Sequence, residues 1–413
     1  METNSILLKD VILGGKITSV QVTGNEISSI GKEKDKSGKV IDCKGLAAIP
    51  GLVNAHTHAA MTLFRNIADD LPLEKWLNEK IWPVEARLEK KDVYAGALLA
   101  CTEMLKSGTT SFNDMYFYPE QTAKACNETG IRGVISEVFF DSFGTSQFSE
   151  KAGNIKEISA QGELSLPALG PHAVYTVSRE GWEKVFAHAE KEKLPVHTHV
   201  SETKKEVWDC IGKNGKTPLE YLNSFRPKAR IIAAHCCHLT EKEIAIAGKS
   251  GISTVNCPSS NMKLASGTMP VEKLLKARAN IAIGTDGAAS NNSLDMFQEM
   301  KLASLQQKLS DGNASAFSAQ KVFEAATLGG AKALGINAGA IKEGMLADIA
   351  LLDLKALGFI PRHNFTSALV YSTNGSCVRH VICNGRHSVE NGGVENEDKF
   401  REFAQERAER LFG

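Results

Sequence analysis

The sequence predicts an α/β protein, a (β/α)8 barrel inserted into a small β-sandwich built from both chain termini. Three observations carry this expectation. From about residue 51 to 345, eight apolar strand candidates alternate with helical patterns. Short β-patterns punctuated by glycines occupy residues 6–50 and recur at 347–354 and 378–385. Histidines and acidic residues gather where the barrel strands end, which is where barrel chemistry belongs.

At 413 residues the chain is too long for one ordinary core, but not for a large barrel with an appendage. Hydrophobic residues make up 42% and charged residues 23%, as in a globular protein in water. Lys+Arg and Asp+Glu balance at 48 each, so neither nucleic acid nor an anionic membrane is an expected partner. No apolar stretch is long enough to span a bilayer. Met1-Glu2-Thr3-Asn4 lacks a basic region followed by an apolar segment, so a cytoplasmic location is expected. The composition is compatible with a homo-oligomer. The nine cysteines are scattered without a Cys-x-x-Cys, which favours buried free thiols. His235-Cys236-Cys237-His238 is too tightly spaced for a structural zinc finger and is read as a strand end.

In chain order, residues 6–13, 19–22 and 26–30 read as strands separated by Gly14-Gly15 and Gly24-Asn25. This sheet has no room for its own core, and residues 347–354 and 378–383 supply the missing partner strands. Residues 1–52 and 346–413 therefore form the sandwich, and residues 53–345 the barrel. Its strands are expected at the run ending in His56 and at 109–114, 131–139, 164–170, 195–200, 230–235, 252–257 and 280–285. Helices are expected at 92–106, 119–129, 149–160, 178–193, 203–223, 240–250, 270–278 and 294–309. Thr240-x-x-Glu243 is a capping-box pattern. Residues 395–412 place Phe400, Phe403, Ala404, Ala408 and Leu411 at helical spacing, a terminal helix packed on the body.

The strand ends carry the chemistry. His56 and His58, spaced i, i+2, leave the first barrel strand on one face. The fifth ends in His197-Thr198-His199-Val200-Ser201-Glu202, the sixth in His235, and the eighth in Gly284-Thr285-Asp286. Alone, a strand-end Asp caps the next helix and a barrel histidine fills a layer. Together they are a mixed nitrogen and oxygen donor set suited to one divalent ion, with zinc favoured and iron or manganese also suited.

These residues resemble the amidohydrolase superfamily, whose pattern is His-x-His after strand 1, His after strands 5 and 6, and Asp after strand 8. The resemblance covers almost the whole chain. Members with two metals carry a bridging Lys after strand 4, where this chain reads Leu169-Gly170-Pro171-His172, so one metal is implied. His199 begins His-x-x-Glu, as in the deaminases of the superfamily with a single metal. The resemblance therefore implies His56, His58, His199 and Asp286 as ligands, with His197 behind them. It further implies hydrolytic deamination, with Glu202 protonating a heteroaromatic ring nitrogen. Asp286 would accept the proton of the attacking water, and His235 would stabilise the attacking oxygen. Zinc deaminases of the Pro-Cys-x-x-Cys type are excluded, because that cysteine pair is missing.

Within the superfamily the chain is similar to the 5′-methylthioadenosine/S-adenosylhomocysteine deaminases and the related 5′-deoxyadenosine deaminases. Residues 68–77, 82–85, 170–172, 234–236, 260–264 and 284–292 carry that similarity. It implies a nucleoside substrate whose ribose hydroxyls bind Glu85, with His172 also on the ribose. Trp76 and Met61 would line the base or 5′-group pocket, although core packing explains both equally well. Members acting well on S-adenosylhomocysteine carry an Arg at the end of strand 3, and here Glu137 stands there, with no Arg or Lys in residues 141–149. A carboxylate facing the substrate would repel the homocysteine carboxylate, so an uncharged 5′ group is expected. The alternatives are a guanine, cytosine or triazine aminohydrolase, which would not need Glu85 and His172, and an inactive metal-binding homologue.

Overall fold

The computed structural model describes residues 5–32, 38–140 and 147–413, with the side chains of 147–150 left aside. The N-terminal strands are β1 (Ser5–Leu13), β2 (Lys16–Thr23), β3 (Glu26–Ile30), β4 (Lys39–Asp42) and β5 (Leu46–Pro50). The barrel strands follow as β6 (Leu52–Thr57), β7 (Thr109–Tyr116), β8 (Arg132–Phe139), β9 (Ser165–Pro171) and β10 (Val196–Val200). They continue with β11 (Ile231–His235), β12 (Ser253–Asn256) and β13 (Asn280–Ile283). The C-terminal part adds β14 (Ile349–Asp353), β15 (Val378–Cys383) and β16 (Arg386–Val389).

Strands β6 to β13 pair in parallel, each with its sequence neighbour. β6 and β10 are buried along their whole length, as strands covered on both faces must be. The two ends of the series meet through Asn54 and the loop after β13. Thr285 N–H donates to Asn54 Oδ1 at 2.9 Å, and Asp286 N–H donates to the His56 carbonyl at 3.0 Å. Gly284 permits this approach, since a Cβ there would stand 2.8 Å from the His56 backbone. The first and last strand ends, and with them His56, His58 and Asp286, are thereby brought side by side.

The terminal strands join into one eight-stranded mixed sheet, with β4 paired to β1 off the main path. Its two halves share one core that includes Ile6, Leu8, Val20, Ile27, Leu351 and Ile382. β5 pairs with β14, so the sheet depends on both ends of the chain. The buried Arg132–Asp348 ion pair ties it to the barrel. Residues 46–53 belong to two strands in two different sheets, divided at Gly51.

The helical stretch expected at 203–223 is two helices, Lys204–Asn214 and Pro218–Asn223. Gly215 caps the first with a φ of 65°, and Pro218 starts the second. Further helical turns at 319–334 pack after β13, where no clear period had marked them. The C-terminal helix Glu397–Phe412 lies on the segment that follows β6. Its Arg407 bonds Asp92 and Glu89, each at 2.7 Å. No helix among the described residues is long and apolar enough to cross a membrane. All nine cysteines are buried and free.

Candidate active site

His56, His58, His199 and Asp286 converge at the C-terminal mouth of the barrel. Asp286 Oδ1 lies 3.4 Å from His56 Nε2 and 3.3 Å from His58 Nε2. His58 Nε2 lies 3.3 Å from His199 Nε2. Donors about 2.0–2.1 Å from a shared tetrahedral ion stand roughly 3.3–3.4 Å apart, so these spacings match a zinc-sized site. Each ring is turned by a partner on its other nitrogen. His58 Nδ1 faces the Met115 carbonyl at 2.6 Å, and His199 Nδ1 the His172 carbonyl at 2.8 Å. A carbonyl can only accept, so both Nδ1 atoms carry the proton and both Nε2 lone pairs point inward. Two facing lone pairs at that distance repel unless a cation lies between them.

His56 Nε2 is fully buried and makes no hydrogen bond among the described residues. Its Nδ1 meets His197 Nε2 at 2.7 Å, and His197 Nδ1 is 3.3 Å from Ser136 Oγ. His197 thus stands behind His56, while His199 belongs to the donor group. Burial pulls His56 down to about 4 and holds His197 and His199 well below the ordinary imidazole value. Neutral imidazoles are the form that binds a metal. Burial would raise the Asp286 carboxyl, but the imidazoles of His56, His58 and His235 gathered around it hold it well below the usual range. The donor set fits one divalent ion.

The remaining groups surround this cluster. Asp286 Oδ2 accepts from Ser260 Oγ at 2.6 Å and Ser290 Oγ at 2.9 Å, leaving Oδ1 toward the imidazoles. His235 Nδ1 is 2.9 Å from Asn261 Oδ1, and its Nε2 is 4.0 Å from Glu202 Oε2. Burial opposes a charge on His235, yet Glu202 and Asp286 outweigh it and raise its pKa. Asp286 and His235 have φ values of 63° and 68°. Such left-handed backbone in non-glycine residues is costly and concentrates at functional sites.

A cavity of about 570 Å³ opens directly over these groups, within the range of small-molecule sites. Glu85, His172, Trp76 and Met61 line it. Glu85 Oε1 accepts from the Tyr116 hydroxyl at 2.8 Å, and burial raises its pKa. His172 is pulled down to about 3 by burial, and its Nδ1 is 3.1 Å from Thr176 Oγ1. Its ring stacks on Phe140 at 4.9 Å.

Glu137 is the exception. Ser136 contacts His197 inside the barrel and Val138 lines the cavity, so the strand alternation turns Glu137 outward. There it lies 3.5 Å from Lys151 Nζ and does not line the cavity. The expected repulsion of a substrate carboxylate by Glu137 therefore does not operate. Residues 141–146 of the loop invoked with it lie outside the described residues, as do the side chains of 147–149. Burial pushes the Glu137 carboxyl up to about 7, against the opposing charge of Lys151. A carboxyl raised on folding costs stability as pH climbs from its unfolded value through about 7. Glu137→Gln is expected to raise Tm at pH 8 relative to pH 5 and leave substrate preference unchanged. Thermal melts at both pH values and kcat/KM ratios check this.

The hydrogen-bonding residues Ser260, Asn261, Ser266, Ser290 and Glu206 were not singled out from the sequence. Ser260, Asn261 and Ser290 fall in stretches that carry only the family similarity, and Ser266 and Glu206 fall outside them.

The sequence pattern that defines the amidohydrolase family matches residues 47–387. A 5-methylthioadenosine/S-adenosylhomocysteine deaminase of Archaeoglobus fulgidus is 47% identical, over 96% of this chain and 95% of that protein. A 5′-deoxyadenosine deaminase of Methanothermobacter thermautotrophicus is 46% identical over the full length of both. Among solved structures, an adenosine deaminase of Xanthomonas campestris with bound zinc superposes with a TM-score of 0.92 at 35% identity, covering 99% of this chain and 98% of that one. An atrazine chlorohydrolase of Arthrobacter aurescens, at 22% identity and a TM-score of 0.88 over 99% of this chain and all of that one, shares the fold. With the pattern spanning most of the chain and near full-length relatives well above 30% identity, the chain belongs to the amidohydrolase family.

Proposed function

We propose that this protein is a metal-dependent hydrolytic deaminase of adenosine derivatives, replacing the 6-amino group by oxygen and releasing ammonia. The carrying observation is that Glu202, His235 and the His/Asp donor cluster share one cavity with Glu85 and His172. The names of the near full-length relatives support the same reading. His56, His58, His199 and Asp286 would hold one divalent ion, zinc by preference, which when bound lowers the pKa of water.

The chain's own residues do the rest. Glu202 protonates the ring nitrogen beside the amino-bearing carbon as water adds to that carbon. Asp286 takes the proton of that water, and His235 hydrogen-bonds the incoming oxygen. Asp286 passes that proton to the amino group, which leaves as ammonia, and the hydroxyl proton returns to Glu202 as the carbonyl forms and the ring is restored. Glu85, with Oε1 engaged by Tyr116, offers Oε2 to a ribose hydroxyl. His172, with Nδ1 toward Thr176, offers Nε2 to the sugar.

The cavity mouth decides the 5′ group. Phe117, Phe140, Tyr175 and Trp82 line it, and no Lys or Arg does among the described residues. Residues 141–146 also contain none. An apolar aromatic mouth suits 5′-deoxyadenosine and 5′-methylthioadenosine, and accepts adenosine. It offers no partner for the carboxylate of S-adenosylhomocysteine, and burying an unpaired charge is costly.

An ammonia-release screen of the metal-loaded protein tests both statements. The uncharged 5′ nucleosides are expected to lead in kcat/KM by at least about tenfold over S-adenosylhomocysteine. A lead for the homocysteine conjugate rejects the apolar-mouth argument. Release from free adenine, guanine or cytosine alone rejects the nucleoside reading.

A further inference from the structure

Glu206 is a buried carboxylate outside both the metal-donor cluster and the cavity lining. It is the third residue of the helix Lys204–Asn214, whose cap is Thr203. A glutamate at that position ordinarily reaches back to the N–H of its own cap. Glu206 reaches further upstream. Its Oε1 accepts from Ser201 N–H at 2.8 Å, and its Oε2 accepts from Glu202 N–H at 2.7 Å. Ser201 has a φ of 49°, a left-handed conformation that surrounding contacts must enforce. One carboxylate therefore fixes the turn that carries Glu202 from the end of β10 into the cavity.

Ser266 acts on the other end of the same side chain. It is buried, and its Oγ–H donates to Glu202 Oε1 at 3.0 Å. Its backbone is held on both sides, N–H to the Asn261 carbonyl at 2.9 Å and carbonyl to His238 Nε2 at 2.6 Å. With Oε1 so engaged, Oε2 is the oxygen nearest His235 Nε2, at 4.0 Å.

We infer that Glu206 and Ser266 are positioning residues that commit Oε2 of Glu202 to proton transfer. Glu206 fixes the backbone and Ser266 occupies the opposite oxygen. The proton leaves Oε2 for the ring nitrogen while the Ser266 hydroxyl keeps its own. The inference rests on the deaminase reading above and names what aims its acid.

The test uses the metal-loaded full-length protein with 5′-deoxyadenosine as probe. Ser266→Ala is expected to lower kcat about tenfold with KM within about twofold, and Ser266→Thr to restore it. Glu206→Gln, which turns an amide N–H toward one of the two backbone donors, is expected to lower kcat by about tenfold or more at equal metal content. In a Glu202→Gln background, Ser266→Ala is expected to add less than about twofold, because its effect passes through the missing acid. An unchanged kcat in Ser266→Ala, a change in KM alone, or full additivity with Glu202→Gln overturns the inference. Crystal structures of metal-loaded wild type and Ser266→Ala give a readout independent of turnover. Rotation of the Glu202 carboxylate is expected, and an unmoved carboxylate overturns the inference whatever the substrate. Absence of ammonia release from every adenosine would reject the deaminase reading, while the crystallographic comparison would still decide this one.

Discussion

Glu202→Gln is expected to keep its metal and lose about 10³-fold in kcat, within the range general acid catalysis contributes. The amide is nearly isosteric with the carboxyl and can still accept from Ser266, whose Oγ donates to Glu202 Oε1 at 3.0 Å. It cannot give up a proton to a ring nitrogen. Glu202 is absent from the donor groups formed by His56, His58, His199, His235 and Asp286, so metal content should not change. KM should shift little, because the lost interaction strengthens only as the proton moves. Steady-state kinetics with metal analysis on the same sample checks both halves. Turnover equal to wild type would remove Glu202 from the chemistry. Loss of metal with loss of turnover would make it a structural support of the site.

The convergence of these side chains on one rim was legible in the sequence because a parallel barrel makes strand ends equivalent. Each apolar run ending in a histidine or aspartate marks one point on the same rim, so His56, His199, His235 and Asp286 could be related without coordinates. What the sequence withholds is register and facing. Glu137 illustrates this: one residue along β8 separates a side chain inside the barrel from one outside, and the end of an apolar run does not say where the count begins. The partners of the ligands are hidden for a similar reason. His58 depends on the Met115 carbonyl and His199 on that of His172, contacts that only the offset between neighbouring strands creates. Thr203-x-x-Glu206 has the form of an ordinary capping box, and nothing in it shows that the Glu206 carboxylate bypasses the cap to reach the Ser201 and Glu202 N–H groups. In the terminal sheet, the division of 46–53 at Gly51 was masked because both resulting strands are apolar. There, a Cβ on Gly51 would collide with the Thr110 side chain.

Asp286→Asn is the second large effect, expected to lower metal affinity by at least about 10²-fold and turnover to the level of the metal-free protein. Of the four donors, Asp286 alone brings a negative charge, and burial leaves His56 and His199 neutral. An asparagine oxygen could occupy the place of Oδ1, 3.3 Å from His58 Nε2, but a neutral oxygen is a much weaker donor to a divalent ion. Its amide N–H₂ would also oppose the Ser260 and Ser290 hydroxyls that now donate to Oδ2. Both consequences act on the same equilibrium. An ion that binds only the folded state adds stability that grows with its concentration over its dissociation constant. Wild type should therefore gain Tm on zinc addition and lose it to a chelator, while Asp286→Asn should show little response to either. Ser260→Ala separates orientation from charge: it removes one hydroxyl and keeps the carboxylate, so a loss of about 10- to 100-fold in affinity is expected. Dialysis against a metal buffer, followed by metal analysis and melting curves, orders the three proteins. Stoichiometric metal retained by Asp286→Asn at wild-type affinity would remove Asp286 from the donor set, because the remaining imidazoles alone would then have to account for it.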